Sequence, residues 1–319
     1  MSVPTFTLAD GRTVPALAWG NGSGNARKTA LESGVLAIKA GIRHIDTAQG
    51  YYNEEETGKS IQQATKEAGI SVEDIYVTTK VSTEGGDPNA AGIALEDLRE
   101  SVKQSLARLG RQPDLLLIHN PFVPPKGKLV EFWKILEDLK DDGTITASLG
   151  VSNFRPQDLE ELLPACKYKP VVNQIEYHPY VMTHLDPVLK IMDAHSIRVA
   201  SYGPMSPVLR HPNKTGGPIR PLLARVAARL SRESSTTQPG LEVDEAMVCL
   251  LWCRAKGAIA VSASANPENI AKLAATQRLP DLTADEVDEI EQAGRKVHFR
   301  AYDEHMCVDF PAPDLPQDL

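Results

Sequence analysis

The chain has 319 residues, 42% of them hydrophobic, and carries a formal net charge of -8. A chain of this length can bury a large core without disulfides or metals, and no apolar run is long enough to cross a membrane. The acidic balance argues against nucleic-acid binding, because duplexes are bound through clustered Lys and Arg. The four cysteines are too scattered for a disulfide framework or a zinc site, so no metal is expected.

One domain spanning residues 1–319 is expected, because no linker rich in Pro, Gly or Ser divides the chain near its middle. The first six residues lack the charged and apolar regions of a signal peptide, which predicts a cytoplasmic protein. No heptad run or apolar stripe demands a partner subunit. We therefore expect a monomer that binds neither nucleic acid nor a membrane.

The predicted elements begin with a hairpin, in which an Asp10-Gly11 turn separates two short strand-like runs. After it, short apolar runs alternate with amphipathic segments of helical spacing. The predicted strands lie near 16–19, 42–46, 75–79, 114–118, 145–150, 171–175, 197–202 and 258–261. The predicted helices lie near 28–40, 54–68, 96–109, 129–141, 156–163, 185–195, 242–256 and 267–274, and a last one near 283–294.

This alternation predicts parallel strands joined by crossover helices, and eight such units favour a (β/α)8 TIM barrel. An open doubly wound sheet would show a G-x-G-x-x-G loop after its first strand, which residues 20–24 lack. That segment predicts a loop at the barrel mouth. Residues 203–218 predict a second, larger mouth loop that clasps a cofactor. Residues 231–240 predict a surface insertion, and the irregular C-terminal tail from residue 299 is expected to cover one barrel face.

Four ionisable side chains follow three successive predicted strands. Asp46 and Tyr51 follow the second strand, Lys80 ends the third and His119 ends the fourth. The carboxyl ends of parallel strands open on one face of a barrel, so these side chains are expected to share a pocket. A buried Lys80 ammonium needs the Asp46 carboxylate as its partner. Its charge is expected to lower the pKa of Tyr51 and make this phenol a general acid, while His119 binds a substrate carbonyl oxygen.

Each of these residues also has a purely structural interpretation. A Lys-Asp pair at a barrel rim can serve stability alone, and a Tyr can be a packing residue with a solvated hydroxyl. Complementary residue types on neighbouring strand ends favour catalysis instead. The remaining histidines are expected to have no catalytic role, with His44 and His178 as structural imidazoles and His184, His195, His211 and His305 as solvent-exposed side chains.

Three motifs resemble those of the aldo-keto reductase superfamily, and the likeness spans nearly the whole chain. Residues 41–54, which read GIRHIDTAQGYYNE, are similar to its first signature. Residues 149–154 (LGVSNF) and 172–179 (VNQIEYHP) are similar to its second and third conserved blocks. Residues 299–302 (FRAY) resemble the C-terminal ending of the fungal subgroup that includes conjugated polyketone and ketopantoate reductases.

The resemblance implies an enzyme that reduces aldehydes or ketones with NADPH (NADP) as cofactor, so that its partner is a small-molecule carbonyl substrate. Asp46, Tyr51, Lys80 and His119 match the catalytic tetrad of the family, in which Tyr51 would be the proton donor. The positions that match cofactor contacts are Asn21, Asp46, Ser152, Asn153, Gln174, Tyr202, Gly203, Pro204, Met205, Ser262, Ala263, Ser264 and Asn269. Of these, Ser152, Asn153 and Gln174 would hold the nicotinamide carboxamide, Tyr202 would stack on the ring, and residues 203–205 would line the pyrophosphate.

The largest departure from the family lies at residues 261–269, where relatives commonly have Ile-Pro-Lys-Ser and, after Pro-Glu, an Arg. Ala263 and Asn269 stand at the two cationic positions, which usually grip the adenosine 2'-phosphate. Lys272, one helical turn beyond Asn269, is the expected substitute for the missing charge. Ser264 and Asn266 are expected to hydrogen-bond the phosphate, together with the N-terminus of a predicted helix. We therefore expect NADPH to be preferred modestly and NADH to be accepted.

A second departure lies in the mouth loop, residues 20–24, where many relatives carry a Trp that walls the substrate pocket. A thinner wall is expected to admit bulky or bicyclic carbonyl compounds. The side chains expected to line that pocket are Trp19, Tyr52, His119, Phe122 and Tyr302.

Two other functions fit the same residues. An alcohol or polyol dehydrogenase would run the reaction in reverse, and the sequence does not separate the two directions. A cofactor-bound regulatory subunit would keep the fold without the reaction. The complete tetrad argues against the regulatory subunit, because a non-catalytic module has no need of it.

Overall fold

The computed structural model describes residues 3–213 and 215–318. Eight parallel strands form a closed barrel, which confirms the predicted TIM architecture. They are β3 (Leu17–Gly20), β4 (His44–Asp46), β5 (Tyr76–Val81), β6 (Leu115–Ile118), β7 (Ser148–Ser152), β8 (Val172–Glu176), β9 (Arg198–Tyr202) and β10 (Ile259–Ser262), and β10 closes the barrel by pairing with both β9 and β3.

The predicted hairpin is confirmed and precedes the barrel. Strands β1 (Thr5–Thr7) and β2 (Thr13–Pro15) pair antiparallel, and Gly11 supplies the positive φ of 86° that the connecting turn requires. Leu8 and Val14 are buried in one cluster with side chains of the barrel strands. The hairpin therefore closes the barrel at the end opposite the carboxyl ends of its strands.

Helices surround the barrel, and most of them follow the predicted segments. They are α1 (Gly24–Lys28), α2 (Ala30–Lys39), α3 (Glu54–Ala68), α4 (Leu98–Leu109), α5 (Leu129–Asp141), α6 (Pro156–Leu162), α7 (Met182–Ala194), α8 (Ser206–Leu209), α9 (Arg220–Glu233), α10 (Glu245–Ala255), α11 (Pro267–Thr276) and α12 (Ala284–Gly294). The segment 203–218, expected to be a loop, contains the short helix α8. The expected surface insertion at 231–240 begins inside α9.

Within the described ranges, no helix combines the length and the apolar content that crossing a membrane would require.

Alternation along the strands decides which side chains reach the barrel mouth. In the pairing of β3 with β4, Trp19 lies opposite Ile45 and Gly20 lies opposite Asp46. Trp19 and Ile45 are fully buried in the apolar layer between strands and helices. Because successive strand residues face opposite sides, Gly20 and Asp46 face the inside of the barrel.

The C-terminal tail returns across the mouth and is attached to the end of β8. The buried carboxylate of Glu176 accepts hydrogen bonds from the backbone N–H of Ala301 (2.8 Å) and of Tyr302 (3.2 Å). It also forms an ion pair with Arg300, with an Nη1 to Oε2 distance of 3.3 Å. These contacts fix residues 300–302 over the site.

Candidate active site

A cavity of about 350 Å³ opens at the carboxyl ends of the barrel strands. The last residues of several strands line it, including Asp46 of β4, Ser152 of β7, Tyr202 of β9 and Ser262 of β10. Tyr51 and His119, which follow β4 and β6, line it as well, and Lys80 of β5 lies beneath them. The structure thus brings together the four residues that the sequence placed at one rim.

Lys80 and Asp46 form a buried ion pair. The Lys80 Nζ lies 2.6 Å from Asp46 Oδ1 and donates a second hydrogen bond to the Thr47 carbonyl oxygen at 2.9 Å. The other Asp46 oxygen accepts from Gln174 Nε2 at 2.8 Å. Burial alone would lower the pKa of Lys80, but the negative charge of Asp46 raises it on balance. Lys80 therefore stays an ammonium at neutral pH.

Tyr51 lies above this ammonium, in the short turn Gln49–Tyr51. The Lys80 Nζ is 5.0 Å from the centroid of the phenol ring, and the Tyr51 hydroxyl is 3.4 Å from His119 Nε2. The Arg27 side chain holds the turn, because its Nε and Nη2 donate to the carbonyl oxygens of Tyr51 and Gly50 at 3.1 and 2.7 Å.

The expected lowering of the pKa of Tyr51 is wrong for this structure. Burial raises the pKa of Tyr51 above its ordinary value of 10.0, and the ammonium of Lys80 offsets this only in part. The desolvation of the phenolate outweighs one nearby cation. The consequence is that Tyr51 keeps its proton at neutral pH, which a general acid needs in order to deliver it.

His119 is neutral. Burial, and secondly the charge of Lys80, holds the pKa of His119 well below 6.5. Its Nδ1 is 2.7 Å from the hydroxyl of Ser82, a residue that the sequence analysis did not single out. When Ser82 donates to Nδ1, the ring hydrogen lies on Nε2, the atom nearest Tyr51, where it can bind a carbonyl oxygen.

The expected nicotinamide contacts are mutually hydrogen-bonded at the ends of β7, β8 and β9. The Tyr202 hydroxyl donates to Asn153 Oδ1 at 2.7 Å, and the Ser152 hydroxyl donates to the Gln174 carbonyl oxygen at 2.7 Å. All four residues line the cavity. Carboxamide and hydroxyl groups beside a large aromatic ring fit the polar edge and flat face of a nicotinamide.

The expected phosphate segment divides into two parts. Gly203, Pro204 and Met205 line the cavity, as do Ser262 and Ala263. The Ser262 hydroxyl is buried and has no hydrogen-bond partner within the described residues. An unmet buried hydroxyl beside these backbone groups suits a phosphate or ribose oxygen, so this part fits the cofactor.

The second part of the phosphate segment lies apart from the cavity wall. The Ser264 hydroxyl accepts from the Asn266 N–H at 3.1 Å, and the Asn266 side chain caps α11 by accepting from the N–H groups of Glu268 and Asn269. Lys272, expected to replace the missing cations, is 2.8 Å from the Asp244 carboxylate. Its charge is therefore partly neutralised within the protein.

Four expected contacts lie elsewhere than predicted. Trp19 is in the core and donates from Nε1 to the Ser264 carbonyl oxygen at 2.9 Å. Tyr52 is 67% exposed and does not line the cavity, although its hydroxyl accepts from the N–H of Gly85, which does. Phe122 lies under the Arg155 guanidinium, 5.1 Å away. Asn21 is buried behind the wall and donates to the Thr57 hydroxyl at 2.8 Å. Tyr302 does line the cavity, as expected.

The expectation that four histidines are solvent-exposed is also wrong. His184 and His211 are buried, because the C-terminal tail packs over them, and His195 is half-buried. His305 is half-buried in the tail and lines the cavity.

Several residues that line the cavity were not predicted to do so, namely Gly22, Arg27, Arg210, Glu304 and His305, and neither was the contact of Ser82 with His119. Most of them lie on irregular segments, whose placement depends on the folded barrel rather than on periodicity. No group of three or more His, Cys, Asp or Glu residues within the described ranges could hold a metal ion.

The site therefore combines a protonated phenol, a buried ammonium, a neutral imidazole and a carboxylate at the mouth of a (β/α)8 barrel. This arrangement is that of an enzyme that transfers a proton to or from a substrate oxygen, beside a groove suited to a nicotinamide cofactor.

Comparisons with known proteins identify the family. The model of the aldo/keto reductase family matches residues 16–295. The NAD/NADP-dependent indole-3-acetaldehyde reductase of Schizosaccharomyces pombe is 30% identical over 310 residues, covering 93% of this chain and 98% of that relative. The NADPH-dependent alpha-keto amide reductase of Saccharomyces cerevisiae is 31% identical over 308 residues, covering 91% and 90%. A Bombyx mori aldo-keto reductase in complex with NADP has a TM-score of 0.76 at 26% identity, with 99% of both chains covered.

The chain belongs to the aldo/keto reductase family. It is an NAD(P)H-dependent oxidoreductase that acts by carbonyl reduction, and relatives in fungi are among those it resembles.

Proposed function

We propose that this chain reduces an aldehyde or ketone with Tyr51 as general acid, supported by Lys80, Asp46 and His119. The observation that carries the proposal is the buried Lys80–Asp46 pair, 2.6 Å long, beneath a phenol whose hydroxyl is 3.4 Å from His119. Burying two charges is costly, and the pair here lies under the phenol of Tyr51, which lines the cavity. This argues against the regulatory-subunit alternative.

The roles follow from the protonation states. Tyr51 gives its proton to the carbonyl oxygen as that oxygen becomes negative, and Lys80 stabilises the phenolate left behind. Asp46 holds Lys80 in place, and His119 directs the carbonyl oxygen towards Tyr51 through a neutral N–H. A bound nicotinamide cofactor supplies the hydride that the carbonyl carbon receives.

We propose that the cofactor groove is formed by Ser152, Asn153, Gln174 and Tyr202 on the nicotinamide side, and by Gly203–Met205 with Ser262 and Ala263 on the phosphate side. These residues line one continuous cavity. Asp244 lies against Lys272, and Ala263 and Asn269 carry no charge, which supports only a modest preference for NADPH over NADH.

We propose further that the chain acts as a single domain and a cytoplasmic monomer without nucleic acid. The attachment of the tail to β8 through Glu176 supports a single domain. The net charge of -8 supports a protein that does not bind nucleic acid. Light scattering after size-exclusion chromatography tests the monomer, and a dimer mass would contradict it.

The decisive experiment compares the wild type with Tyr51→Phe, which keeps the ring and removes the acid. We expect kcat for aldehyde reduction to fall about 10²- to 10⁴-fold, because that is what a positioned acid contributes. The dissociation constant for NADPH, followed by its fluorescence, should stay within about twofold. The exposed Tyr52→Phe is the matched control and should keep wild-type kcat. Full activity of Tyr51→Phe would refute the role of Tyr51. In the wild type, a kcat/KM with NADPH far more than tenfold above that with NADH would refute the modest preference for NADPH.

A further inference from the structure

The C-terminal tail contributes a histidine to the cavity that the proposed mechanism does not use. Residues 300–302 are held by Glu176, and three residues later His305 lines the same cavity as Tyr51 and His119. A backbone hydrogen bond from the Cys307 N–H to the Asp303 carbonyl oxygen closes a turn around it. The fold therefore places this side chain on the cavity wall rather than leaving it on a free end.

The His305 ring has unmet hydrogen-bonding capacity. Its Nδ1 is buried without a hydrogen-bond partner within the described residues, and the ring lines the cavity. Burial lowers the pKa of His305 to about 4, so the ring is neutral and offers one donor and one acceptor. A buried ring nitrogen without a hydrogen-bond partner costs free energy, and a polar group of a ligand in the cavity would remove that cost.

Several other polar groups around the reacting centre already have partners within the protein. Tyr51 contacts His119, Lys80 is held by Asp46 and Thr47, and Asn153 binds the Tyr202 hydroxyl. The two arginines of the cavity are engaged as well. Arg27 binds two backbone carbonyl oxygens, and the Arg210 guanidinium lies 4.9 Å from the Tyr302 ring. His305 differs from these groups, because its Nδ1 has no partner within the described residues and the ring can bind a further polar part of a substrate.

We propose that His305 is a specificity-determining residue, and that it hydrogen-bonds a second polar group carried by the carbonyl substrate. The inference rests on the proposed reduction reaction and adds to it which carbonyl compounds are favoured. Substrates that bear a hydroxyl, carbonyl or amide group besides the reacting carbonyl are preferred over plain alkanals of the same length. A site built to bind such a group discriminates against the analogue that lacks it.

The test uses His305→Phe, which keeps a planar ring and removes both nitrogens, and His305→Gln, which restores a hydrogen-bonding group. Each variant and the full-length wild type reduce matched aldehyde pairs with NADPH, one member plain and one bearing a hydroxyl or amide group. We expect His305→Phe to lower kcat/KM about tenfold for the polar member and less than about twofold for the plain member. His305→Gln should recover part of the loss.

Asp303→Asn is the matched control, because Asp303 is an exposed tail residue outside the cavity lining. It should leave both substrates unaffected. NADPH affinity, measured by fluorescence titration, should be the same in all variants. Equal losses on both members of a pair, or no loss on either, would overturn the role of His305 while leaving the proposed reduction intact. Failure of the wild type to reduce any of the aldehydes would overturn the proposed reduction and this inference together.

Discussion

At the scale of single residues, the position of the Tyr51 phenol depends on Gly22 having no side chain. A Cβ on Gly22 would lie 2.5 Å from Tyr51 Cζ and 2.9 Å from its hydroxyl oxygen. Gly22 does not have a positive φ, so a glycine is needed at this position only because the backbone approaches the Tyr51 ring closely. The mouth loop packs directly on the phenol, with Lys80 on the ring and Arg27 on the backbone of the turn.

Gly22→Ala is therefore expected to push the phenol out of position. A displacement of about 1 Å at the reacting group can cost about a hundredfold in rate, and we expect a loss of that order in kcat. The thermal midpoint should change little, because the displaced ring faces a cavity. Ser23→Ala, one residue along the same loop, is the control and should behave as wild type in steady-state kinetics. A Gly22→Ala enzyme with wild-type kcat would show that the ring relaxes without consequence.

The residues found from the sequence and those missed differ in how they are positioned. Asp46, Lys80 and His119 end predicted strands, and parallel strands deliver such residues to one rim whatever the details. Trp19 also ends a predicted strand, but its partner across the pair is Ile45, so it faces the helices. The facing of Trp19 follows from the register between β3 and β4, which alternation within one strand does not give. Ser82 lies two residues beyond Lys80, in phase with the alternation of β5, whereas His305 lies beyond any periodic signal, because tertiary contacts alone bring it in.

At the scale of elements, the strands and most helices were predictable because their apolar spacing is regular. The tail was predictable only as a cover, since nothing local in residues 299–313 specifies its path. Its path is set by Glu176 at the end of β8, whose side chain is fully buried against Arg300 and His178. Burial would raise the pKa of Glu176, but His178, Arg300 and the Ala301 N–H lower it on balance, so the carboxylate is charged.

Glu176→Gln is expected to loosen the tail. The substitution leaves the Arg300 guanidinium buried without its counter-charge, and breaking a buried pair costs about 3 kcal/mol in the free energy of unfolding. Trypsin should then cut after Arg300 at least tenfold faster, as followed by mass spectrometry, and substrate KM should rise. Asp303→Asn, on the exposed part of the same tail and outside the cavity lining, serves as the control. Equal cleavage rates in both variants would mean that other contacts hold the tail.

At the scale of the whole molecule, the site exists only once the barrel has closed. The hydrogen bond between Gln174 and Asp46 joins residues 128 positions apart in sequence. The closed barrel also buries polar groups in a low-dielectric interior, and this burial changes the pKa values of several histidines. Burial lowers the pKa values of His44, His184 and His298 to about 4.

This burial makes stability depend on pH in a defined direction. The unfolded chain binds protons at histidine near pH 6.5, while the folded chain resists them to about pH 4, so stability is lost as pH falls between these values. His44 alone is expected to contribute roughly 2 kcal/mol of this loss between pH 7 and pH 5. Urea unfolding at the two pH values measures it, and His44→Asn should show a smaller difference. An unfolding free energy that is the same at both values would contradict the assignment.

The position of Trp19 in the core, rather than in the substrate pocket, has a consequence for the fluorescence of the protein. Trp19 is buried, and its indole N–H donates to the Ser264 carbonyl oxygen, two residues beyond Ser262 of the cavity wall. Indole emission responds to the field of its hydrogen-bond partner, so any shift of residues 262–264 is expected to change the colour and intensity of Trp19 emission. The other two tryptophans, Trp133 and Trp252, lie on helices α5 and α10 outside the cavity lining. The chain thus carries a built-in reporter at the phosphate end of the proposed cofactor groove, readable without any added dye.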